Sequence, residues 1–197
     1  MAPQYDSSTA LIVVDVQNDF ADPAGSLAIR GGEEILPGVN RDVQAALAAG
    51  ATVVFTQDWH PERTPHFEKD GGIWPVHCVR DTWGAELHPA LHRPPDAPVL
   101  RKGVDGEDGY SGFSVRDPGT GEVEATGLES LLRDGGIERV LVAGLATDYC
   151  VKETVLDARR LGFKTVVLLD AVRAVDLQPG DGDRAIDRMR EAGAEIE

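Results

Sequence analysis

Short runs of aliphatic and β-branched residues recur along the chain at 10–16, 51–57, 97–100, 139–145 and 164–169, with a last one at 194–196. Leu11-Ile12-Val13-Val14 has no polar alternation. Such a run marks a strand covered on both faces, as in a parallel sheet. Between the runs the apolar spacing changes to three or four. Residues 37–49 carry Val39, Val43 and Leu47 four apart, and Gly50 stops the segment. Residues 147–161 carry Val151, Val155, Ala158 and Leu161 on one stripe before Gly162. Residues 128–133 and 183–192 are weaker helical candidates, the second closed by Gly193. This alternation predicts an α/β fold, an open and mostly parallel sheet of about six strands with helices on both faces.

Two stretches break the alternation. Residues 58–92 are rich in His, Pro, Trp and Gly, and residues 102–122 in Gly and Asp. Long irregular insertions in a compact domain are usually functional. Both begin where a strand ends, and open α/β sheets bind ligands at the carboxyl ends of their strands. No repeat or linker divides the 197 residues, so we read 1–197 as a single domain with a sizeable core.

Composition adds exclusions. Hydrophobic residues make up 42% and charged residues 27%, ordinary values for a globular protein. No apolar run approaches the roughly 20 residues of a membrane span. The first ten residues lack a basic segment followed by an apolar one, so a cytoplasmic location is expected. A formal net charge of −15 argues against nucleic acid or a membrane as partner, since both require clustered Lys and Arg. The two cysteines, Cys78 and Cys150, form neither a disulfide framework nor a Cys-x-x-Cys pair.

Candidate chemistry collects at the strand ends. Asp15 follows the first apolar run, where poor solvation raises a carboxylate pKa unless a cation pairs with it; capping the next turn is the plainer role. Lys102 follows the third run, where a lone Lys ordinarily extends into solvent. Cys150 falls in the first turn of a helix that follows Ala143-Gly144-Leu145-Ala146, with Thr147 or Asp148 as cap. The helix dipole favours a thiolate there, and the free N–H groups of the turn can hold an oxyanion. The alternative is a small buried hydrophobe. Asp58 and His60, two apart at the end of the second run, project to one side of an extended segment. With His77 they can ligate a divalent metal. His66, His88 and His92 are spare candidates, so spacing alone leaves unrelated loop histidines equally open.

Taken in order, Val13-Val14-Asp15-Val16-Gln17-Asn18-Asp19-Phe20, Thr56-Gln57-Asp58-Trp59-His60-Pro61, Trp74-Pro75-Val76-His77-Cys78-Val79, Lys102-Gly103, Tyr110-Ser111-Gly112-Phe113 and Gly144-Leu145-Ala146-Thr147-Asp148-Tyr149-Cys150-Val151 resemble the isochorismatase-like cysteine hydrolases. The Asp-Trp-His and Trp-Pro-x-His-Cys-Val pieces are similar to the nicotinamidase branch of that family. The resemblance implies a catalytic triad of Asp15, Lys102 and Cys150, and metal ligands at Asp58, His60 and His77. It implies an oxyanion hole from the backbone N–H groups of Ala146 and Cys150, with a cis peptide before Ala146. Phe20 and Trp74 would sandwich the substrate ring, with Tyr110 nearby. The implied reaction turns nicotinamide into nicotinate and ammonia through a cysteine thioester, in NAD salvage. One divalent metal is implied, zinc ahead of iron or manganese, and a homo-oligomer is expected. The chain departs from the branch after His60. Thr64-Pro65-His66-Phe67-Glu68 stands where a serine often follows the next histidine, which leaves the outer metal shell open. The acidic stretch 105–108 is read as shaping the entrance. Two other readings stand beside this one: a related amidase acting on a carbamoyl or ureido substrate, and a non-catalytic binding module with a sensing thiol.

Overall fold

In the computed structural model, which describes residues 4–197, the apolar runs become strands. In chain order the elements are β1 (Thr9–Val14), α1 (Asn18–Ala21), α2 (Leu36–Ala48), β2 (Thr52–Asp58), β3 (Val99–Lys102), β4 (Ser114–Arg116), β5 (Val123–Ala125), α3 (Leu128–Asp134), β6 (Arg139–Leu145), α4 (Lys152–Arg160), β7 (Lys164–Arg173), α5 (Asp181–Glu191) and β8 (Glu195–Ile196). Six strands form one sheet in the order β3-β2-β1-β6-β7-β8, and every neighbouring pair is parallel. β4 and β5 form a separate antiparallel hairpin.

The alternation of side chains along each strand sorts the core into two layers. Leu11 and Val13 of β1 face α2 through Val39, Val43 and Ala46. Ala10, Ile12 and Val14 face the other way, toward Leu128 and Leu132 of α3, Val155 and Ala158 of α4 and Met189 of α5. Helices therefore cover both faces, as the continuous apolar runs require. The stripe on α2 is rotated from its sequence reading: Ala46 is buried while Leu47 is 41% exposed. Ala46, three residues after Val43, takes the buried place in the core layer.

The chain leaves β1 toward β2 on one side and later adds β6 on the other, so the strand order reverses between β1 and β6. A crevice opens at such a point beyond the carboxyl ends. Asp15 follows β1 with φ of 47°, and the Leu145–Ala146 peptide after β6 is cis. Gly144, with φ of 118°, lets the two strands approach: a methyl group there would collide with the backbone of Val14.

Gly144→Ala is therefore expected to cost about 2–5 kcal/mol of unfolding free energy. Urea unfolding checks this; a loss below about 0.5 kcal/mol would mean that the close approach is not a constraint.

Candidate active site

The ends of β1, β2, β3 and β6 deliver four side chains to one point. Lys102, the last residue of β3, is fully buried and does not extend into solvent. Its Nζ donates to Asp15 Oδ2 at 2.8 Å, to Asp58 Oδ1 at 2.6 Å and to the carbonyl of Gly109. Three acceptors thus match the three protons of the ammonium. Cys150 Sγ lies 3.8 Å from the same Nζ. Asp15, Asp58 and Cys150 bring one donor atom each within 4.8 Å of one another. Asp15 does not cap a turn with its side chain. Its Oδ1 accepts from Thr56 Oγ1 at 2.6 Å, and its own N–H donates to that hydroxyl at 3.2 Å.

Electrostatics separates the groups. Burial raises the Asp15 carboxyl above its usual range, with Lys102 pulling it back. Burial acts on Asp58 too, but Lys102, His60 and His77 outweigh it and hold that carboxyl below the usual range. Burial lowers the Lys102 ammonium, and Asp15, Asp58 and Cys150 more than reverse this, so Lys102 stays charged. Burial drives the Cys150 thiol well up, against Lys102 and with the help of both carboxylates. That direction opposes the standing thiolate that its place at a helix start suggests.

Cys150 lies in a widened turn, Thr147–Val151, that precedes α4. The N–H groups of Tyr149 and Val151 both donate to Ala146 O, at 3.1 and 3.0 Å. Neither Thr147 nor Asp148 caps this turn. Asp148 instead accepts from the N–H groups of Val175 and Asp176, at 2.9 Å each, and so ties the end of β7 to the site. Cys78 is fully buried, with Sγ 4.0 Å from Gly84 O, and lies away from the cleft lining.

The histidines divide. His60, His66 and His77 turn ring nitrogens toward one point, within 4.8 Å of one another, and all three are buried. His60 Nε2 is 3.7 Å from Asp58 Oδ2. His88 and His92 lie elsewhere, near Asp22 and Asn40. His66 is a site residue that spacing could not separate from these two. His77 Nδ1 is 2.7 Å from Pro75 O, which fixes that nitrogen as the donor and leaves Nε2 with a lone pair. Burial lowers the His77 pKa to about 4, so the ring is neutral and able to ligate. Both ring nitrogens of His60 are buried without a hydrogen-bond partner. Orphaned buried nitrogens are costly unless something else satisfies them. Three imidazole donors beside an ionised carboxylate suit a divalent metal.

Above these groups is a cleft of about 340 Å³. Phe20, Trp74, Tyr110 and Tyr149 supply aromatic walls, with Asp58, His66, His77, Ala146 and Cys150 on the polar side. Trp74 Nε1 donates to Tyr110 Oη at 2.8 Å, and Trp74 meets Tyr149 edge to face at 4.7 Å. Tyr149 joins the lining although the sequence reading passed over it. Gln17 is a further support: it donates to Asp58 O at 2.7 Å and accepts from Asp58 N–H at 2.8 Å, pinning the end of β2.

An isochorismatase domain model matches residues 9–197. The nicotinamidase of Escherichia coli is 39% identical over 203 residues, with 95% of this chain and 93% of that protein covered. The pyrazinamidase of Pyrococcus horikoshii, solved in complex with zinc, superposes with a TM-score of 0.86 at 40% identity, covering 96% of this chain and 98% of that one. PnC1 from L. infantum, solved in complex with nicotinate, gives a TM-score of 0.88 at 38% identity, covering 100% and 96%. The chain belongs to the isochorismatase family. It is a hydrolase acting on an amide, and its sheet is the fold of that family.

Removing the cation leaves two buried carboxylates facing each other. Lys102→Met is expected to destabilise the protein by about 3–5 kcal/mol, and adding Asp15→Asn to recover part of that loss. Chemical unfolding of the single and double variants checks the coupling. A single variant as stable as the parent would contradict it.

Proposed function

We propose that this protein hydrolyses nicotinamide to nicotinate and ammonia through a thioester on Cys150, a reaction that serves NAD salvage. The convergence of Cys150 Sγ, Lys102 Nζ and Asp15 at the polar side of an aromatic-walled cleft carries this reading. The similarity to nicotinamidases over nearly the whole chain supports it.

Asp15 is the general base. Raised basicity suits it to take the thiol proton as sulfur attacks the carboxamide carbon. Lys102 holds Asp15 ionised until then and keeps its Oδ2 in place. Thr56 holds Oδ1, so the carboxylate plane is set from both sides. Charge then builds on the carbonyl oxygen, and the N–H groups of Ala146 and Cys150 receive it. The carbon–nitrogen bond breaks as Asp15 returns its proton to the leaving nitrogen, which departs as ammonia. Asp15 next takes a proton from water; the oxygen attacks the thioester carbon, the carbon–sulfur bond breaks as sulfur recovers that proton from Asp15, and the acid leaves and ionises to nicotinate.

Asp58, His60 and His77, with His66 beside them, are the residues that would hold a divalent metal, zinc by preference. When bound, the ion supplies a Lewis-acid anchor for the pyridine nitrogen and so orients the ring. Phe20 and Trp74, with Tyr110, flank that ring. A carbamoyl or ureido substrate would leave the histidine cluster and the aromatic walls without a use. A non-catalytic thiol module would leave the buried Asp15–Lys102 pair without one.

Cys150→Ala is expected to lower ammonia release from nicotinamide on the order of 10⁴-fold or more, with Asp15→Asn nearly as damaging. Circular dichroism should show both folds intact; turnover retained in the cysteine variant would refute the nucleophile. Stripping the protein with a chelator should raise KM for nicotinamide, and added Zn²⁺ should restore it. Kinetics indifferent to chelation would contradict the metal reading.

A further inference from the structure

The mechanism above leaves one polar contact of the cleft without a task. Asp108 Oδ1 lies 2.7 Å from His66 Nδ1, so the stretch 105–108 does more than shape an entrance. The backbone of Asp108 is clamped to β4: its N–H donates to Arg116 O at 2.8 Å, and Arg116 N–H donates to Asp108 O at 3.0 Å. Two residues earlier in each loop, Thr64 Oγ1 donates to Gly106 O at 2.7 Å and accepts His66 N–H at 3.2 Å. The two loops are thus stitched twice, once through a carbonyl and once through the imidazole–carboxylate contact.

The outer strand of the hairpin behind Asp108 is lightly packed. Every residue of β5 is exposed, and Val123 is 62% exposed. Its strand partner β4 nevertheless fixes the backbone that carries Asp108. An imidazole whose Nδ1 donates to a carboxylate presents Nε2 as the acceptor, with a set ring orientation.

We infer that Asp108, braced by the β4–β5 hairpin, is a positioning residue that aims the His66 ring into the cluster with His60 and His77 and tightens the cluster's hold on a divalent ion. This rests on the metal reading given above. The readout is Zn²⁺ affinity of the metal-stripped full chain, measured by competition with a chromogenic chelator. Asp108→Ala is expected to weaken Zn²⁺ binding about 10- to 100-fold. Asp108→Asn keeps an acceptor oxygen and should lose less. In a His66→Gln background, Asp108→Ala should add less than about twofold, because the two side chains act as one unit.

The inference is overturned if Asp108→Ala binds Zn²⁺ within about twofold of the parent while His66→Gln does not. It is equally overturned if Asp108→Ala costs the same with and without His66, since the carboxylate would then act on something else. If Asp108→Ala fails to fold, Asp108→Asn decides: affinity equal to the parent's, with His66→Gln weakened, sinks the inference. Unchanged affinity in His66→Gln removes His66 from the metal site, and the inference with it. Ammonia release by that variant then shows separately whether the Cys150 chemistry stands.

Discussion

Burying the ammonium of Lys102 forfeits hydration worth several kcal/mol, and the functional end of the molecule is built around offsetting that loss. Asp15 and Asp58 approach the same nitrogen from the ends of neighbouring strands, and the Gly109 carbonyl closes the third direction. Two carboxylates against one ammonium leave one negative charge in excess. That excess sits beside three clustered imidazoles, an environment that favours a cation near Asp58. Asp58 therefore belongs to both halves of the site. One of its oxygens meets Lys102 and the other faces His60.

The same arrangement sets the proton logic. Asp15 and Asp58 share one cation, yet their surroundings push them apart: Asp15 becomes more basic and Asp58 more acidic. A buried pair tuned in opposite directions can divide its labour, one group carrying protons and the other staying ionised as a ligand. Burial opposes a standing thiolate at Cys150 beside them. It becomes a nucleophile when Asp15 accepts its proton, within a site already arranged for the charge that follows.

Much of this was legible in the chain. The unbroken run at Leu11-Ile12-Val13-Val14 fitted a strand covered on both faces, and the strand–helix alternation pointed to helices on both sides. Asp15, Lys102 and Cys150 each follow a predicted strand, but none was persuasive alone; it was the resemblance of their motifs to the isochorismatase-like hydrolases that made them a set. His66 was not separable from His88 and His92, since its approach to His60 depends on how an irregular loop folds back. Asp108 was hidden for the same reason: its partner lies 42 residues away, and no local period links them. Asp148 looked like a helix cap because capping is a local pattern, but two N–H groups after β7 claim its carboxylate instead. Local patterns located the strands, and contacts between loops decided the remaining side chains.

The central claim is that this buried ion-pair network lets Cys150 bond covalently to its substrate. Acid quenching of the protein during steady-state turnover of nicotinamide, followed by mass spectrometry of the digested chain, tests it most directly. The account predicts a nicotinoyl group on the peptide that contains Cys150. Full turnover with that peptide unmodified at every quench time, or with the acyl group on a different residue, would contradict it.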